Sequence, residues 1–257
     1  NRAEMHLIVD ASDPNTGKII SSSTQAIIKK YIQEINQQAQ LPYNIKTIPA
    51  MLFNPELKGA FMFVPGVMAL LLTLISALMT SISLTREKEM GTMEMLLVSP
   101  FKAGHIIAGK VVTYVILSMI NAGGILLLAN LVFDLPVNGS LVILLVECLL
   151  FVTTALSLGI LISTVTDSQM KAMMMSTVGL MMPTMLLSGF IFPIDNMPFT
   201  IQLITNLVPA RWFITIIKNI MFKGTGIQYF WKETIVLLIM TTVFISLSIH
   251  NFKDRLE

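Results

Sequence analysis

From about residue 60 onward, long apolar runs alternate with short polar connections. The first run, residues 61–84, contains no charged side chain. As a helix with a rise of about 1.5 Å per residue, it exceeds the roughly 30 Å hydrocarbon thickness of a bilayer. The same argument predicts four further spans, at residues 106–133, 140–165, 172–192 and 234–249. We expect Pro183 to interrupt the fourth of these five spans.

The connections between the spans differ in character. Residues 134–139 form a short turn sequence, so the second and third spans should be antiparallel neighbours. Residues 193–231 are too polar for a simple span and too apolar for a free loop, and Pro209 separates helix-like stretches at 201–207 and 212–222. We predict a broken hairpin that re-enters the outer leaflet, because non-helical backbone at membrane depth is tolerated beside protein or a watery path.

The chain divides at about residue 58, and the part before it has the only soluble-domain character. Short stretches at residues 6–9 and 43–53 are typical of strands. Between them, Asp13 followed by Pro14 predicts the start of a helix whose apolar residues recur on one face to about Gln38. The expected fold class is therefore an α-helical integral membrane protein, residues 59–257, preceded by a small α/β extracytoplasmic segment, residues 1–58.

The positions of lysine and arginine predict an orientation, since these residues collect on the cytoplasmic side of membrane spans. Basic residues lie after the first span, after the third and in the tail: Arg86, Lys88, Lys102, Lys110, Lys171, Lys253 and Arg255. The C-terminus should then be cytoplasmic, with residues 1–58 and the broken hairpin facing outward. The bias is modest, because four basic residues fall on the outer side: Arg211, Lys218, Lys223 and Lys232.

Composition excludes several classes of function. Hydrophobic residues make up 54% of the chain and charged residues 12%. This charged fraction is lower than is typical of a soluble domain and favours a membrane protein. A net charge of +2 provides no basic surface for nucleic acid. The single cysteine, Cys148, excludes an intrachain disulfide, and three scattered histidines lack metal-ligand spacing. No nucleophile, acid and base constellation appears, so we predict no catalytic residues and no metal site.

The connection after the first span carries the most informative pattern. Residues 86–100 begin with a dense group of charges and continue with Met90, Met93, Leu96 and Leu97 on one helical face. A helix along the inner membrane surface, over residues 86–103, would have this pattern. Pattern alone leaves open whether this is a docking element or only a solvated interfacial helix.

The string REKEMGTMEMLLVSP in this connection resembles the signature of ABC-2 type transporter permeases. In that family, R-E-x-E, G-T-x-E, L-L and S-P form a cytoplasmic helix that docks on the ATPase subunit. Further similar motifs follow the family's order, namely FNPE at 53–56, VPG at 64–66, GK at 109–110, LSGFIFPI at 187–194 and LVPAR at 207–211. The chain is similar in particular to the exporter-like subgroup with a large outward domain after a first span. This likeness implies six spans, of which the first would precede Asn1.

The resemblance also implies which residues couple the permease to its ATPase: Arg86, Glu87, Lys88, Glu89, Gly91, Thr92, Glu94 and Pro100. The acidic groups would meet basic residues of the ATPase, and Gly91 and Thr92 would set a local bend. Closure of paired ATPases would push on this stiff helix. The implied complex contains two ATPase copies and a second permease subunit, identical or different. ATP and Mg²⁺ would bind to the ATPase, and no cofactor to this chain.

Two polar residues in apolar surroundings are candidates for the transport path. Glu147 lies about seven residues into the third span, roughly 10 Å from its outer end, where an ionisable group is a candidate functional site. Arg211 follows Pro209 in the broken hairpin. For Glu147 the alternative is a bond to a neighbouring helix, and for Arg211 it is a structural bond to freed carbonyls.

Residues 104–110 match the phosphate-loop pattern G-x-x-x-x-G-K. Val111 replaces the hydroxyl residue that would hold magnesium, and the segment leads into a membrane helix, so nucleotide binding is not expected. Lys110 is better explained as an interfacial anchor.

The leading hypothesis is a non-enzymatic permease subunit that exports a hydrophobic or amphipathic compound across a bacterial cytoplasmic membrane. Two alternatives stay open. A lipid-modifying membrane enzyme should show carboxylates or histidines clustered at one interface. A membrane sensor or anchor should tolerate disruption of residues 86–100.

Overall fold

The computed structural model describes residues 14–38, 53–54, 56–91 and 103–253. The chain forms two compact units, Asn1–Met62 and Phe63–Glu257. The regular structure in the described residues is entirely helical. Of the predicted strands, 6–9 and all of 43–53 except Phe53 lie outside these residues. The predicted α/β character of the first segment is therefore not supported.

The first unit contains the predicted amphipathic helix, and its bounds, Pro14–Gln38, are those expected from the sequence. Ile20, Ile27 and Tyr31 of its apolar face are exposed. Further along this unit, the buried Asn54 closes a turn before the first span. Its side-chain amide donates to the Lys58 carbonyl at 3.0 Å, and its Oδ1 accepts from the Lys58 amide at 2.9 Å.

Five helices in the described residues are long and apolar enough to cross a membrane: Ala60–Glu89, Gly109–Phe133, Leu141–Val165, Gln169–Leu187 and Trp231–Asn251. They correspond to the five predicted runs and are called the first to fifth spans below. The helix that contains the second span begins at Ala103, and the helix that contains the fifth continues to Lys253. The end of the bundle where the first span finishes and the second helix begins is called the charged end.

The fourth span differs from the prediction in two ways. Pro183 lies inside an unbroken helix, so the expected interruption is wrong. Transmembrane helices tolerate an internal proline where neighbouring groups satisfy the freed backbone. The helix also ends at Leu187 and not at 192, because Gly189 adopts a left-handed φ of +79° that few other residues accept. The Ser188 hydroxyl donates to the Thr184 carbonyl in the last turn.

The first span contains a π-helical turn, Leu74–Leu78, between α-helices Ala60–Thr73 and Met79–Glu89. Such a turn inserts an extra residue into the helix and rotates the side chains that follow it. Ser76 and Ala77 of this turn are fully buried, and the Ser76 hydroxyl lies 2.8 Å from that of Ser118 in the second span. No feature of the hydrophobic pattern signalled this turn.

The first and third spans form the interior of the bundle. Over the most apolar stretch of each span, 56% of the first and 50% of the third are buried, against 17% of the second, fourth and fifth. The third span packs against every other span and against the hairpin. A Cβ atom on Gly159 would lie 2.5 Å from the Ala77 carbonyl oxygen, so the backbones of the two interior spans are in close contact.

In the region of the predicted broken hairpin, helices Phe199–Thr205 and Pro209–Met221 form a pair bent by 83°, a geometry that fits one broken span as well as a re-entrant loop. They are called the short and long hairpin helices. Seven of the 13 residues of the long helix are buried. Its Phe213 ring stacks on Phe151 of the third span, with 3.9 Å between the ring centroids. At its other end, the backbone amide of Asn138, in the turn between the second and third spans, donates to the Met221 carbonyl at 2.9 Å.

Candidate functional site

The charged residues of the predicted coupling segment begin as part of the first span. Arg86, Glu87, Lys88 and Glu89 form the last turn of helix Met79–Glu89. The helix stops there because Gly91 adopts a φ of +69°, with its amide donating to the Lys88 carbonyl at 3.1 Å. Arg86 to Glu89 thus belong to the helix of the first span and not to a separate helix over residues 86–103, and the local bend expected at Gly91 and Thr92 stays a prediction. Thr92, Glu94 and Pro100 lie outside the described residues.

Glu87 joins the first span to the second. Its Oε1 lies 2.5 Å from Lys110 Nζ, and the two side chains are 20% and 30% exposed. The same ammonium group donates to Ser83 Oγ at 3.0 Å. Lys110 is thus an interhelical ion-pair partner in addition to the interfacial anchor expected from its position. Since the pair is largely shielded from water, it is less screened by salt than a surface pair.

The next two residues reach two further spans. Lys88 Nζ donates to the Ser163 carbonyl near the end of the third span. Glu89 Oε2 accepts from the Gln169 backbone amide at 2.9 Å, at the start of the fourth span. A carboxylate in that position satisfies a free amide of the helix N-terminus and interacts favourably with its dipole. We call Glu87, Lys88, Glu89, Lys110, Ser163 and Gln169 the clamp.

Buried hydroxyl pairs continue the contacts of the first span away from the clamp. Thr85 Oγ1 lies 3.1 Å from Thr166 Oγ1, beside the third span, and Ser81 Oγ lies 2.7 Å from Ser176 Oγ in the fourth. Side-chain hydrogen bonds of this kind hold transmembrane helices together where hydrophobic burial gives no net driving force. The first span is therefore bonded to three neighbours over its charged half.

Glu147 is a buried carboxyl group between the third and fifth spans. It is 2% exposed, and its Oε1 accepts from Thr234 Oγ1 at 2.9 Å. Its Oε2 has no hydrogen-bond partner within the described part of the chain. The observed bond to the fifth span corresponds to the structural alternative raised from the sequence.

Arg211 holds the bend of the hairpin. Its Nη1 donates to the Gln202 carbonyl at 3.2 Å and to the Thr205 hydroxyl. Its guanidinium lies 5.0 Å from the centre of the Trp212 ring, and the indole nitrogen donates to the Asn206 carbonyl at 3.0 Å. Arg211 and Trp212 therefore satisfy carbonyls that the end of the short hairpin helix leaves free.

The structure describes no group of three metal-ligating side chains within residues 14–38, 53–54, 56–91 and 103–253. Residues 104–110, which match the phosphate-loop pattern, lie inside helix Ala103–Phe133. A phosphate loop needs backbone amides that converge on the ligand, and a continuous helix does not present them that way.

The sequence model of a protein family, described as "ABC-2 family transporter protein", matches residues 1–250 of this chain. The chain belongs to the ABC-2 transporter family. Its relatives include two proteins of Escherichia coli K12, "Probable multidrug ABC transporter permease YbhR", 31% identical over 98% of this chain and 68% of the relative, and the similarly named YbhS, 30% identical over 99% and 68%. "Inner membrane transport permease YhhJ" of the same strain is 27% identical over 80% and 55%. No solved structure matches the chain significantly.

This ABC-2 chain is accordingly a multi-pass membrane permease and not an enzyme, since the relatives are permease subunits and ATP hydrolysis in such transporters belongs to a separate subunit. The structure brings Glu87, Lys88 and Glu89 together with Lys110, Ser163 and Gln169, which sequence reasoning did not place at this site. The available signal for Lys110 was its opposite charge across the connection from Glu87.

Proposed function

We propose that this ABC-2 permease lines the export path of a transporter that contains two copies of a separate ATPase and a second permease subunit. The bacterial inner membrane is the proposed location, with residues 1–58 outside, the C-terminus in the cytoplasm and the hairpin in the outer leaflet. Residues 86–100 would dock on the ATPase, which would bind ATP and Mg²⁺. The family match and the named relatives support this proposal.

The clamp is the observation that carries the coupling part of the proposal. Arg86–Glu89 are the first residues of the proposed docking segment, and three of these four residues contact three different spans. A displacement applied beyond Gly91 would therefore reach most of the bundle through short, polar contacts. A sensor or anchor has no need for such an arrangement.

A hydrophobic or amphipathic substrate fits the surface of the fourth span. Five of its methionines are exposed by 47–68%: Met170, Met173, Met174, Met175 and Met182. Flexible thioether side chains adapt to apolar molecules of different shapes. The multidrug permease names of the relatives are in keeping with this substrate class.

Co-expression of the chain with each ABC-type ATPase of its source genome tests the proposal. We expect one ATPase to co-purify in detergent and to hydrolyse ATP faster in lipid when Hoechst 33342 is present as an apolar probe. Glu94→Lys should weaken that complex, because it reverses a charge in the proposed docking segment. Lys171→Glu, an exposed reversal on the same side, serves as the control. Failure of every ATPase to co-purify would contradict the docking proposal.

A further inference from the structure

We propose that Glu87, Glu89 and Lys110 act inside the permease, as a joint between the later part of the docking segment, residues 92–100, and the spans, and that the two carboxylates do not contact the ATPase. This inference rests on the proposed function, because the joint matters only if an ATPase pushes on residues 86–100. It assigns Lys110 a positioning role in coupling and divides the acidic residues of the charged segment into two groups. Glu94 remains the candidate for contact with the ATPase.

The first argument for this inference is that both carboxylates already have partners inside the permease. Glu87 is ion-paired to Lys110 at 2.5 Å in a partly shielded position, and Lys110 is also bonded to Ser83. Glu89, whose side chain is exposed, accepts from the Gln169 amide through Oε2. A basic ATPase residue that bound Glu87 Oε1 would have to compete with Lys110 for it. Removing one partner of a shielded ion pair leaves the other charge poorly solvated, so this exchange is unfavourable.

Helix geometry carries the second step. Successive residues of an α-helix point about 100° apart, so Glu87, Lys88 and Glu89 together cover about 200° of the circumference. That spread explains why three consecutive side chains reach the second, third and fourth spans. The last turn of the first span therefore contacts neighbouring spans on several sides. A tilt of this turn would strain its contacts with the second, third and fourth spans.

The third argument is the position of Gly91, directly after the end of the first span. The helix ends at Glu89, and Gly91 turns the chain with its positive φ. Glu87 and Glu89 of the joint therefore lie in the last helical turn before residues 92–100. A displacement of that segment can reach the spans through this turn or, at the other end of the segment, through the helix that begins at Ala103, and the Glu87–Lys110 pair joins these two helices. Rigid elements linked by short polar contacts are suited to transmit such a movement.

The test uses the complex with the co-purifying ATPase, reconstituted in liposomes. Four variants are compared with the parent chain: Glu87→Lys, Lys110→Glu, the double swap Glu87→Lys/Lys110→Glu, and Lys171→Glu as a matched charge reversal. Each carries Ser140→Cys, at the opposite end of the third span, as an exposed reporter. The native Cys148 is buried, and the same chain without the reporter corrects for its labelling.

Two quantities are measured, the amount of ATPase that co-purifies and the change in maleimide labelling of the reporter when nucleotide is trapped with vanadate. We expect every variant to retain the ATPase. Glu87→Lys and Lys110→Glu should reduce the nucleotide-dependent change roughly 2- to 30-fold, the range for residues that carry coupling between sites. The double swap should restore it, whereas Lys171→Glu and an additional conservative variant, Lys110→Arg, should leave it unchanged.

Two results would overturn the inference without touching the proposed function. In the first, both single reversals keep the full labelling change. In the second, Glu87→Lys loses the ATPase while Lys110→Glu keeps it and the double swap fails to restore it, which would make Glu87 a direct contact. Glu89→Gln adds a check in which the contact between the first and fourth spans is kept. It keeps an acceptor for the Gln169 amide, so complex formation should be retained, whereas loss of the complex would show a direct ATPase contact. If the parent chain binds no ATPase, the proposed function fails instead.

Discussion

The two interior spans differ from the three outer spans in how closely their backbones approach and in how much of each span is buried. The first and third spans meet through their backbones, at Gly159 and Ala77, and about half of each is buried. The second, fourth and fifth spans are 17% buried over their apolar stretches and attach through hydroxyl pairs such as Ser76–Ser118 and Thr154–Thr241. Polar bonds also join the interior spans, as at Thr85–Thr166, so the close backbone contact is what sets the interior pair apart.

This difference indicates where the bundle can change. A close backbone contact tolerates no added atom, whereas a hydroxyl pair can break and re-form at small cost. The outer spans also keep apolar faces free for lipid or another subunit, as at Ile120 and Leu131, which are 66% and 71% exposed. We expect the interior pair to act as a fixed core about which the outer spans move.

The largest effect is expected from Gly159→Leu. A Cβ alone would approach the Ala77 carbonyl to 2.5 Å, so the larger side chain must separate the interior spans. We expect a loss of stability of about 3 kcal/mol or more, at the upper end of the range for overpacked cores. Gly179→Leu in the fourth span is the matched control, because a Cβ there meets no atom within 4 Å. Thermal unfolding in detergent measures both, and equal losses would remove the distinction between interior and outer spans.

A smaller effect is expected from Arg211→Ala. This change tests whether the bend of the hairpin contributes to stability, as the contact between the interior spans does. The change removes the bonds to Gln202 and Thr205 at the bend. We expect a loss of about 1.5–3 kcal/mol, typical of hydrogen bonds to charged groups. Lys232→Ala is the control, since its ammonium lies only over the exposed Trp231 ring at 5.9 Å. Unfolding temperatures that match within error would show that the bend holds without Arg211.

Ser81→Ala tests one outer attachment. The Ser81–Ser176 pair is buried, and interhelical bonds of this kind contribute about 0.6 kcal/mol on average in a membrane protein. The double variant Ser81→Ala/Ser176→Ala should lose no more than either single change, because both remove the same bond. Fully additive losses in the unfolding measurement would mean that the two hydroxyls contribute independently.

The smallest effect is expected from Glu147→Gln. The side chain keeps an oxygen that accepts from Thr234, so the contact between the third and fifth spans survives. Transport of Hoechst 33342 should be unchanged at every pH tested, while Glu147→Leu should lower stability by removing the acceptor. A pH-dependent change in the Gln variant would instead identify Glu147 as a group that handles protons or cationic substrate.

Much of the architecture could be predicted because it depends on local pattern. Long apolar runs predicted five spans, and Pro14 and the apolar period predicted the helix to Gln38. The hairpin was predictable because its two apolar stretches flank Pro209. The span ends were less accurate. The interruption at Pro183 was wrong because the surrounding helix accommodates the proline, which no local rule reveals.

The clamp could be predicted only in part. The charged motif marked Glu87, Lys88 and Glu89, and resemblance gave them a role. Their partners lie 23, 75 and 80 residues away along the chain, counting from Glu87 to Lys110, Lys88 to Ser163 and Glu89 to Gln169. Two of these partners act through backbone atoms, which carry no residue-specific signal. The π-helical turn Leu74–Leu78 was likewise invisible in the pattern.

The sequence by itself determined that this chain crosses a membrane, which five apolar runs are long enough to span it, and which family its charged motif indicates. These properties follow from the length of apolar runs and from residue types at fixed spacing. Only the tertiary structure decided which spans lie inside and what the charged residues contact. Those outcomes depend on close approach between distant segments, such as Gly159 with Ala77 and Glu87 with Lys110, which is set by packing of the whole bundle.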